Sequence, residues 1–267
     1  MVTKEKVIAG GDLTITNISK TYETRGGEIE ALSSISLDVQ PGQFISLLGP
    51  SGCGKSTLLM IVAGLRDASG GEVIIGDRKV TKPQTECGIV FQSPLLLDWR
   101  DAIGNVMLQV EARPISNRRA HREQCMDLLR SVGLEGFEKK YPRELSGGMQ
   151  QRVAICRALI HNPPLLLMDE PFGALDALTR EQMIADLHKL WFENRKTVLF
   201  VTHSISEAVF LSDRVVMMTP RPGKVDRIVD IDIPHPRRLD VQTTARFGEY
   251  VGEITKIFQT WGVLRED

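Results

Sequence analysis

Nine consecutive residues, Gly49, Pro50, Ser51, Gly52, Cys53, Gly54, Lys55, Ser56 and Thr57, carry the most specific chemistry in this 267-residue chain. They fit the spacing GxxxxGK followed by Ser or Thr, which cradles phosphate when it follows a buried strand and opens a helix. The glycines let the backbone curl so that successive N–H groups point at phosphate oxygens, and the helix N-terminus adds positive potential. Lys55 is placed to bridge the β- and γ-phosphates of a nucleoside triphosphate, and the Ser56 hydroxyl to ligate Mg²⁺. A second constellation, Asp169 and Glu170, follows the apolar run Leu165–Met168. There Asp169 suits a water-mediated Mg²⁺ contact and Glu170 can polarise an attacking water. Taken alone, the pair also reads as two acids capping the next helix. His203 follows another apolar run, Val198–Thr202, where an imidazole would donate to the γ-phosphate. A lone histidine is otherwise an ordinary surface or core residue, and His121, His161, His188 and His235 read that way.

These groups converge only if several strands end along one edge. Phe44–Leu48, Leu165–Met168, Val198–Val201 and Val215–Met218 are short apolar runs suited to strands buried on both faces. Helices are expected from about Lys55 and from Leu178 to Asn194. Alternating strands and helices predict an α/β fold with a mainly parallel sheet, whose ligands bind at the C-terminal strand ends. Period-two patterns at Leu13–Val39, turning at Gly26-Gly27, and at Glu72–Val80, turning at Gly76-Asp77, predict antiparallel hairpins. From about Ser93 to Leu159 charged segments of helical spacing, such as Ala120–Val132, replace the apolar runs, as in an inserted helical subdomain. Near the end, Phe247, Tyr250, Val251, Ile254, Ile257 and Phe258 recur at three- and four-residue steps. That is an amphipathic helix, expected to pack on the domain's own surface, with docking to a partner as the other use. The first ten residues read as a loose tail.

Composition names no partner. Lys plus Arg number 33 and Asp plus Glu 34, a formal charge of -1, so there is no bulk field for nucleic acid or anionic lipid. The longest apolar run, Leu58–Ala63, has six residues, far short of the roughly 20 that span a bilayer. The N-terminal residues lack the apolar core of a secretory signal. Cys53, Cys87, Cys125 and Cys156 are widely spaced, which predicts free thiols in a reducing compartment. Cys53 lies among amides beside Lys55, a setting that lowers a thiol pKa and makes it reactive; a small buried cysteine filling the loop is the other reading.

Leu145, Ser146, Gly147, Gly148, Met149 and Gln150, followed by Gln151 and Arg152, resemble the signature of ABC transporter ATPases. The resemblance extends over about residues 12 to 225 in the family's order. It implies a P-loop NTPase, RecA-like core with an antiparallel β subdomain and an inserted helical subdomain. On that basis residues 12–92 and 160–230 form the ATPase core, 93–159 the helical signature subdomain, and 231–267 a C-terminal extension. It also implies ATP and Mg²⁺. Tyr22 falls where the family stacks an aromatic on adenine, although an ordinary strand tyrosine fits the position too. Gln92, after Gly88–Phe91, matches the glutamine that reaches Mg²⁺ and the attacking water and links catalysis to the membrane subunits. Ala174, Leu175 and Asp176 match the loop by which two ATPase domains communicate. In the family two copies meet head to tail, so Ser146, Gly147, Gly148 and Gln150 of one complete the nucleotide site of the other.

The segment after Gln92 carries Trp99, Asn105 and Val106, and is similar to the nitrate, sulfonate and taurine importer branch, with Asp98 where that branch has proline. The branch implies separate transmembrane permease subunits, indirect service to a periplasmic or extracellular solute-binding protein, and a peripheral position on the cytoplasmic face of the inner membrane. The solute never touches such a subunit. Two other readings compete. A soluble member of the superfamily acting in DNA repair or translation usually carries two ATPase domains or a long coiled coil, and no sustained heptads lie between Lys55 and Ser146. A nucleotide-dependent binding module without hydrolysis is opposed by Glu170 and His203.

Overall fold

The computed structural model describes residues 11–113 and 118–264, and the tail expected over the first ten residues lies outside them. Along the chain, β1 (Leu13–Thr24), β2 (Gly27–Val39) and β3 (Phe44–Leu48) lead into α1 (Lys55–Val62), followed by β4 (Gly70–Ile75), β5 (Arg78–Lys79) and β6 (Gly88–Val90). Three helices come next, α2 (Ala102–Glu111), α3 (Arg118–Ser131) and α4 (Gly147–Leu159). The chain then runs through β7 (Leu165–Asp169), α5 (Ala177–Asn194), β8 (Thr197–Thr202), α6 (Ile205–Leu211), β9 (Arg214–Met218), β10 (Val225–Asp230) and α7 (Ala245–Thr260).

Two sheets result. The antiparallel one has the order β2-β1-β4-β5, so both predicted hairpins share it. The other has the order β10-β9-β3-β8-β7-β6 and is parallel except for β10, which returns antiparallel along β9. Every residue of β3, β7 and β8 is buried, which is why these strands read as mostly apolar runs, with Ser46, Asp169, Thr197 and Thr202 the polar exceptions. Alternate side chains feed two cores. Phe44, Leu48, Met168, Phe200 and Met217 face α4, α5, α6 and α7, whereas Ile45, Leu47, Leu167, Val201 and Val216 face α1 and the antiparallel sheet. A third core, including Val106, Val110, Leu129 and Val153, holds α2, α3 and α4 together.

The C-terminal helix packs on this chain's own core. Phe247, Tyr250, Ile254, Ile257 and Phe258 of α7 join the cluster built on Phe44 and Phe200. The strap before it is pinned by Arg237, which is buried and donates from Nη1 to the carbonyls of Val209, Phe210 and Ser212 at the C-terminal end of α6. Its Nε and Nη2 bond the Ile233 carbonyl, so the cation satisfies carbonyls that a helix end leaves without partners.

Strand register fixes the functional edge. Leu48 pairs with Thr202, and Asp169 with Val201, so the loops leaving β3, β8 and β7 start at nearly one level. Val90 on β6 pairs with Met168, bringing Gln92 to the same edge.

Candidate functional site

After Leu48 the chain must reverse from a buried strand into a helix within six residues. Gly52 (φ 76°) and Gly54 (φ 100°) take left-handed conformations to do so. A Cβ on Gly54 would also lie 2.6 Å from Leu32 Cδ2 and 2.9 Å from the Ala31 carbonyl, so the loop lies directly on β2. No side chain caps α1, and its first amides have no intrahelical acceptor. Lys55 is only 4% exposed, and its Nζ donates to the carbonyls of Gly49 (2.8 Å) and Pro50 (3.0 Å). The loop therefore turns carbonyls in toward its own lysine, an arrangement that leaves amides for an anion outside. A pocket of about 620 Å³ opens above it, reaching Tyr22, Thr24, Ile29, Ala31, Gln92 and Glu170.

On the carboxylate side, Ser56 Oγ donates to Asp169 Oδ1 at 2.8 Å. Burial pushes the Asp169 carboxyl up and the Ser56 bond opposes it. A hydroxyl and a carboxylate oxygen in contact are the hard donors Mg²⁺ prefers, with its other positions left to water and phosphate. The residues present fit that ion, which when bound would neutralise phosphate charge. Glu170 has φ 42°, unusual for a non-glycine residue, and is held there by its N–H to the Val201 carbonyl (2.9 Å) and by Gly173 N–H to its own carbonyl (3.2 Å). Such a backbone costs about 1–3 kcal/mol and concentrates at functional sites. His203 Nδ1 lies 3.1 Å from Glu170 Oε2. Gly173 sits between Gln92 and Glu170: a Cβ there would be 3.7 Å from Gln92 Nε2 and 4.0 Å from Glu170 Oε2. A carboxylate and an amide thus line the pocket, with the His203 imidazole behind the carboxylate, an arrangement that could hold a water attacking a terminal phosphoryl group.

Tyr22 stands on β1 and lines the same pocket. Its hydroxyl is 3.2 Å from Thr57 Oγ1, and it accepts a hydrogen bond from Arg66. Arg66 and Lys20 each lie 5.3 Å from the ring centroid, so the ring faces cations as well as the pocket.

The signature residues lie elsewhere. Ser146 caps α4, accepting from Met149 N–H, and Gln150 Nε2 donates to the carbonyls of Pro142 (2.9 Å) and Leu145 (3.1 Å). The Gln150 amide nitrogen is therefore committed to shaping the turn before α4. Gly148 lies against α5, where a Cβ would meet Thr179 Cγ2 at 2.6 Å. Asp176 caps α5 by accepting from Thr179 N–H (3.0 Å), and those Thr179 bonds hold its carboxyl below the usual range. None of Ser146, Gly147, Gly148, Gln150 or Asp176 lines the pocket above Lys55 in the same chain.

Of the two readings of Cys53 the structure favours the small buried filler: it is 1% exposed, and burial pushes its thiol up despite Lys55 nearby. Cys87 and Cys125 are likewise buried and pushed up to about 12. Alkylation at pH 7.5 is accordingly expected to be slow at Cys53 and insensitive to ATP, read by mass spectrometry; fast labelling that ATP blocks would show a reactive thiol.

Sequence reading missed Arg221 and Arg66. Arg221 lines the pocket and reaches Gly52, 169 positions away, and only the turn signal of Pro222-Gly223 marked its segment. Arg66, just beyond α1, carries no local signal at all.

Comparison with known proteins bears on the family and the fold. The family model described as ABC transporter matches residues 32–173. An uncharacterized ABC transporter ATP-binding protein of Methanocaldococcus jannaschii is 46% identical over 248 residues, covering 92% of this chain and 91% of that protein. The aliphatic sulfonates import ATP-binding protein SsuB of Bacillus cereus is 38% identical over 253 residues, 95% of this chain and 98% of its own. Among solved structures, a dimeric ATP-binding cassette in a post-hydrolysis state with ADP and Pi is 35% identical, with a TM-score of 0.74 over 83% of this chain and 100% of that one.

Proposed function

This chain belongs to the ABC transporter family and is an ATPase with the P-loop NTPase fold, and we propose that it powers import of a small anion, a sulfonate, taurine, nitrate or similar, through separate permease subunits. In this reading residues 12–92 and 160–230 are the ATPase core, 93–159 the signature subdomain and 231–267 an extension. Gly49 to Thr57 bind the phosphates, Lys55 bridges the β- and γ-phosphates, and Tyr22 stacks on adenine. Ser56, Asp169 and Gln92 would hold Mg²⁺. Glu170 polarises the attacking water, and His203 donates to the γ-phosphate. Ser146, Gly147, Gly148, Gln150 and Asp176 act across the interface with a second, head-to-tail copy.

The observation that carries the coupling half is the surface beside Gln92. Trp99 is 74% exposed and Leu95 58% exposed, large apolar groups on the segment that joins β6 to the helical subdomain. Leu95 also lines a groove of about 390 Å³ with Leu65, Ile89, Phe91 and Leu108, its polar lining including Arg113 and Arg157. Apolar surface of this kind suits a partner helix, and a permease docked there would feel the position of Gln92. Such a complex places the chain on the cytoplasmic face of the membrane as a peripheral subunit, serving the solute-binding protein only through the permease. Among the described residues no helix is long and apolar enough to cross a membrane. The similarity to a sulfonate importer over nearly its whole length supports the anion class.

The test is reconstitution of the chain with candidate permeases of this transporter family and uptake assays with taurine, alkanesulfonates and nitrate. Trp99→Ala is expected to leave the ATPase rate of the isolated chain unchanged while reducing permease co-purification and coupled uptake about tenfold, the loss typical of a buried aromatic anchor. An ATPase stimulated by DNA or ribosomes, with no permease bound, would favour the repair or translation alternative instead.

A further inference from the structure

The turn from Thr219 to Lys224, between β9 and β10, lies against the phosphate-binding loop. Thr219 builds the turn: its Oγ1 donates to the Pro222 carbonyl and accepts from Lys224 N–H, each at 3.1 Å. Gly223 is the contact point. Its N–H donates to the Ala31 carbonyl, and its own carbonyl accepts from Ser33 N–H, both at 3.0 Å, which ties the turn to β2. A Cβ on Gly223 would lie 2.0 Å from the Cys53 carbonyl, so only glycine lets the two backbones meet. From this platform Arg221 reaches over the loop, and both Nε (3.2 Å) and Nη2 (3.1 Å) donate to the Gly52 carbonyl. On the other side of the same peptide, Cys53 N–H donates to the Pro50 carbonyl at 3.3 Å. The Gly52-Cys53 peptide, at the left-handed bend of the loop, is thereby held at both ends.

A guanidinium that fixes this peptide fixes which way the neighbouring amides point. Arg221 is also exposed to the same pocket as Lys55, Ser56 and Thr57, and its remaining nitrogen, Nη1, has no partner among the described residues. A fixed cation with a spare donor at the rim of a phosphate site is suited to an oxygen of a polyphosphate chain. We propose that Arg221 belongs to the nucleotide site, where it holds the Gly52 bend of the phosphate-binding loop in its curled form and presents positive charge to the nucleotide's phosphates. Its effect is on binding, through the loop and through its charge, and hydrolysis is left to Glu170 and His203.

The inference rests on the Lys55 loop being the nucleotide site, and the experiment separates the two. ADP and ATP affinities, ATPase KM and kcat, and melting temperature are measured for the wild type, R221A, R221K, R221Q and K55A. Loss of a charge-assisted contact to the loop is expected to weaken both nucleotides and raise KM about tenfold in R221A, with kcat changed less than about threefold. R221K keeps the charge without the two-donor grip and is expected to fall between R221A and the wild type; R221Q, which keeps a donor without the charge, is expected to bind less tightly than R221K. If R221A lowers the melting temperature, R221K carries the test. Wild-type affinity and KM in R221A, or a fall in kcat at unchanged KM, would overturn the role of Arg221 alone. Unchanged nucleotide binding in K55A would overturn the site itself.

Discussion

Replacing Glu170 by Gln is expected to reduce ATP turnover by about a hundredfold or more while ATP binding survives and the chain accumulates as an ATP-bound dimer. The substitution keeps the shape of the side chain and removes the charge that would polarise water, and positioned general bases contribute about 10²–10⁴. The backbone at residue 170 is held by the Val201 carbonyl and the Gly173 amide, neither of which the change touches, so the left-handed bend should persist. His203 Nδ1, 3.1 Å from Oε2, can still bond an amide oxygen or nitrogen in its place. The dimer follows from the separation seen in the single chain: Ser146, Gly147 and Gly148 stand outside the pocket that holds Lys55, and dimeric cassettes are among the solved structures this chain resembles. With ATP between two copies and no hydrolysis to release them, size-exclusion chromatography should show a dimer with ATP and a monomer with ADP. A variant that stays monomeric with ATP and hydrolyses at the wild-type rate would refute both the role of Glu170 and the shared site.

Much of this edge was legible because burial on both faces leaves a plain trace. In β3, β7 and β8 every position is buried, so the runs are mostly apolar, and the chemistry sits at or just after their C-terminal ends, Asp169 closing β7 and Glu170 and His203 following β7 and β8. Shorter elements left no such trace. β6 spans Gly88–Val90, and α6 spans seven residues whose last five are all buried, too short and too apolar for either period to register. β10 alternates poorly because it edges the sheet, with only Val229 buried. Residues whose role comes from contacts distant in sequence were harder still. Arg221 acts on Gly52 and Arg66 on Tyr22, pairs that meet only after β9 and α1 are placed beside the loop and β1. Cys53 shows the opposite case: its neighbours along the chain left an activated thiol and a buried filler both open, and Gly223 packed on its carbonyl together with burial favours the filler. Local sequence gives the charge environment of a residue but not its depth.

Lys55→Ala tests the centre of the site and is expected to abolish nucleotide-dependent behaviour almost entirely. The Lys55 ammonium is buried, and the two carbonyls it bonds, Gly49 and Pro50, belong to the loop that must present its amides to phosphate. Truncation therefore does two things at once. It removes the positive charge that, in the proposed role, meets the β- and γ-phosphates, where a single preorganised donor in a water-poor site is worth about 10²–10³ in rate. It also leaves two inward carbonyls without a donor, which favours an uncurled loop and turns amides away from the ligand. Lys55→Arg should not rescue, because a planar fork is bulkier than an ammonium in a slot bounded by Gly49, Pro50 and the Cys53 sulfur 3.8 Å away. The readout need not be turnover alone. A ligand that binds the folded state raises the melting temperature in proportion to ln(1 + [L]/Kd), so millimolar ATP should stabilise the wild type and leave Lys55→Ala where it melts without nucleotide. An Ala variant that keeps both its ATPase rate and its ATP-induced shift in melting would overturn the Lys55 loop as the nucleotide site.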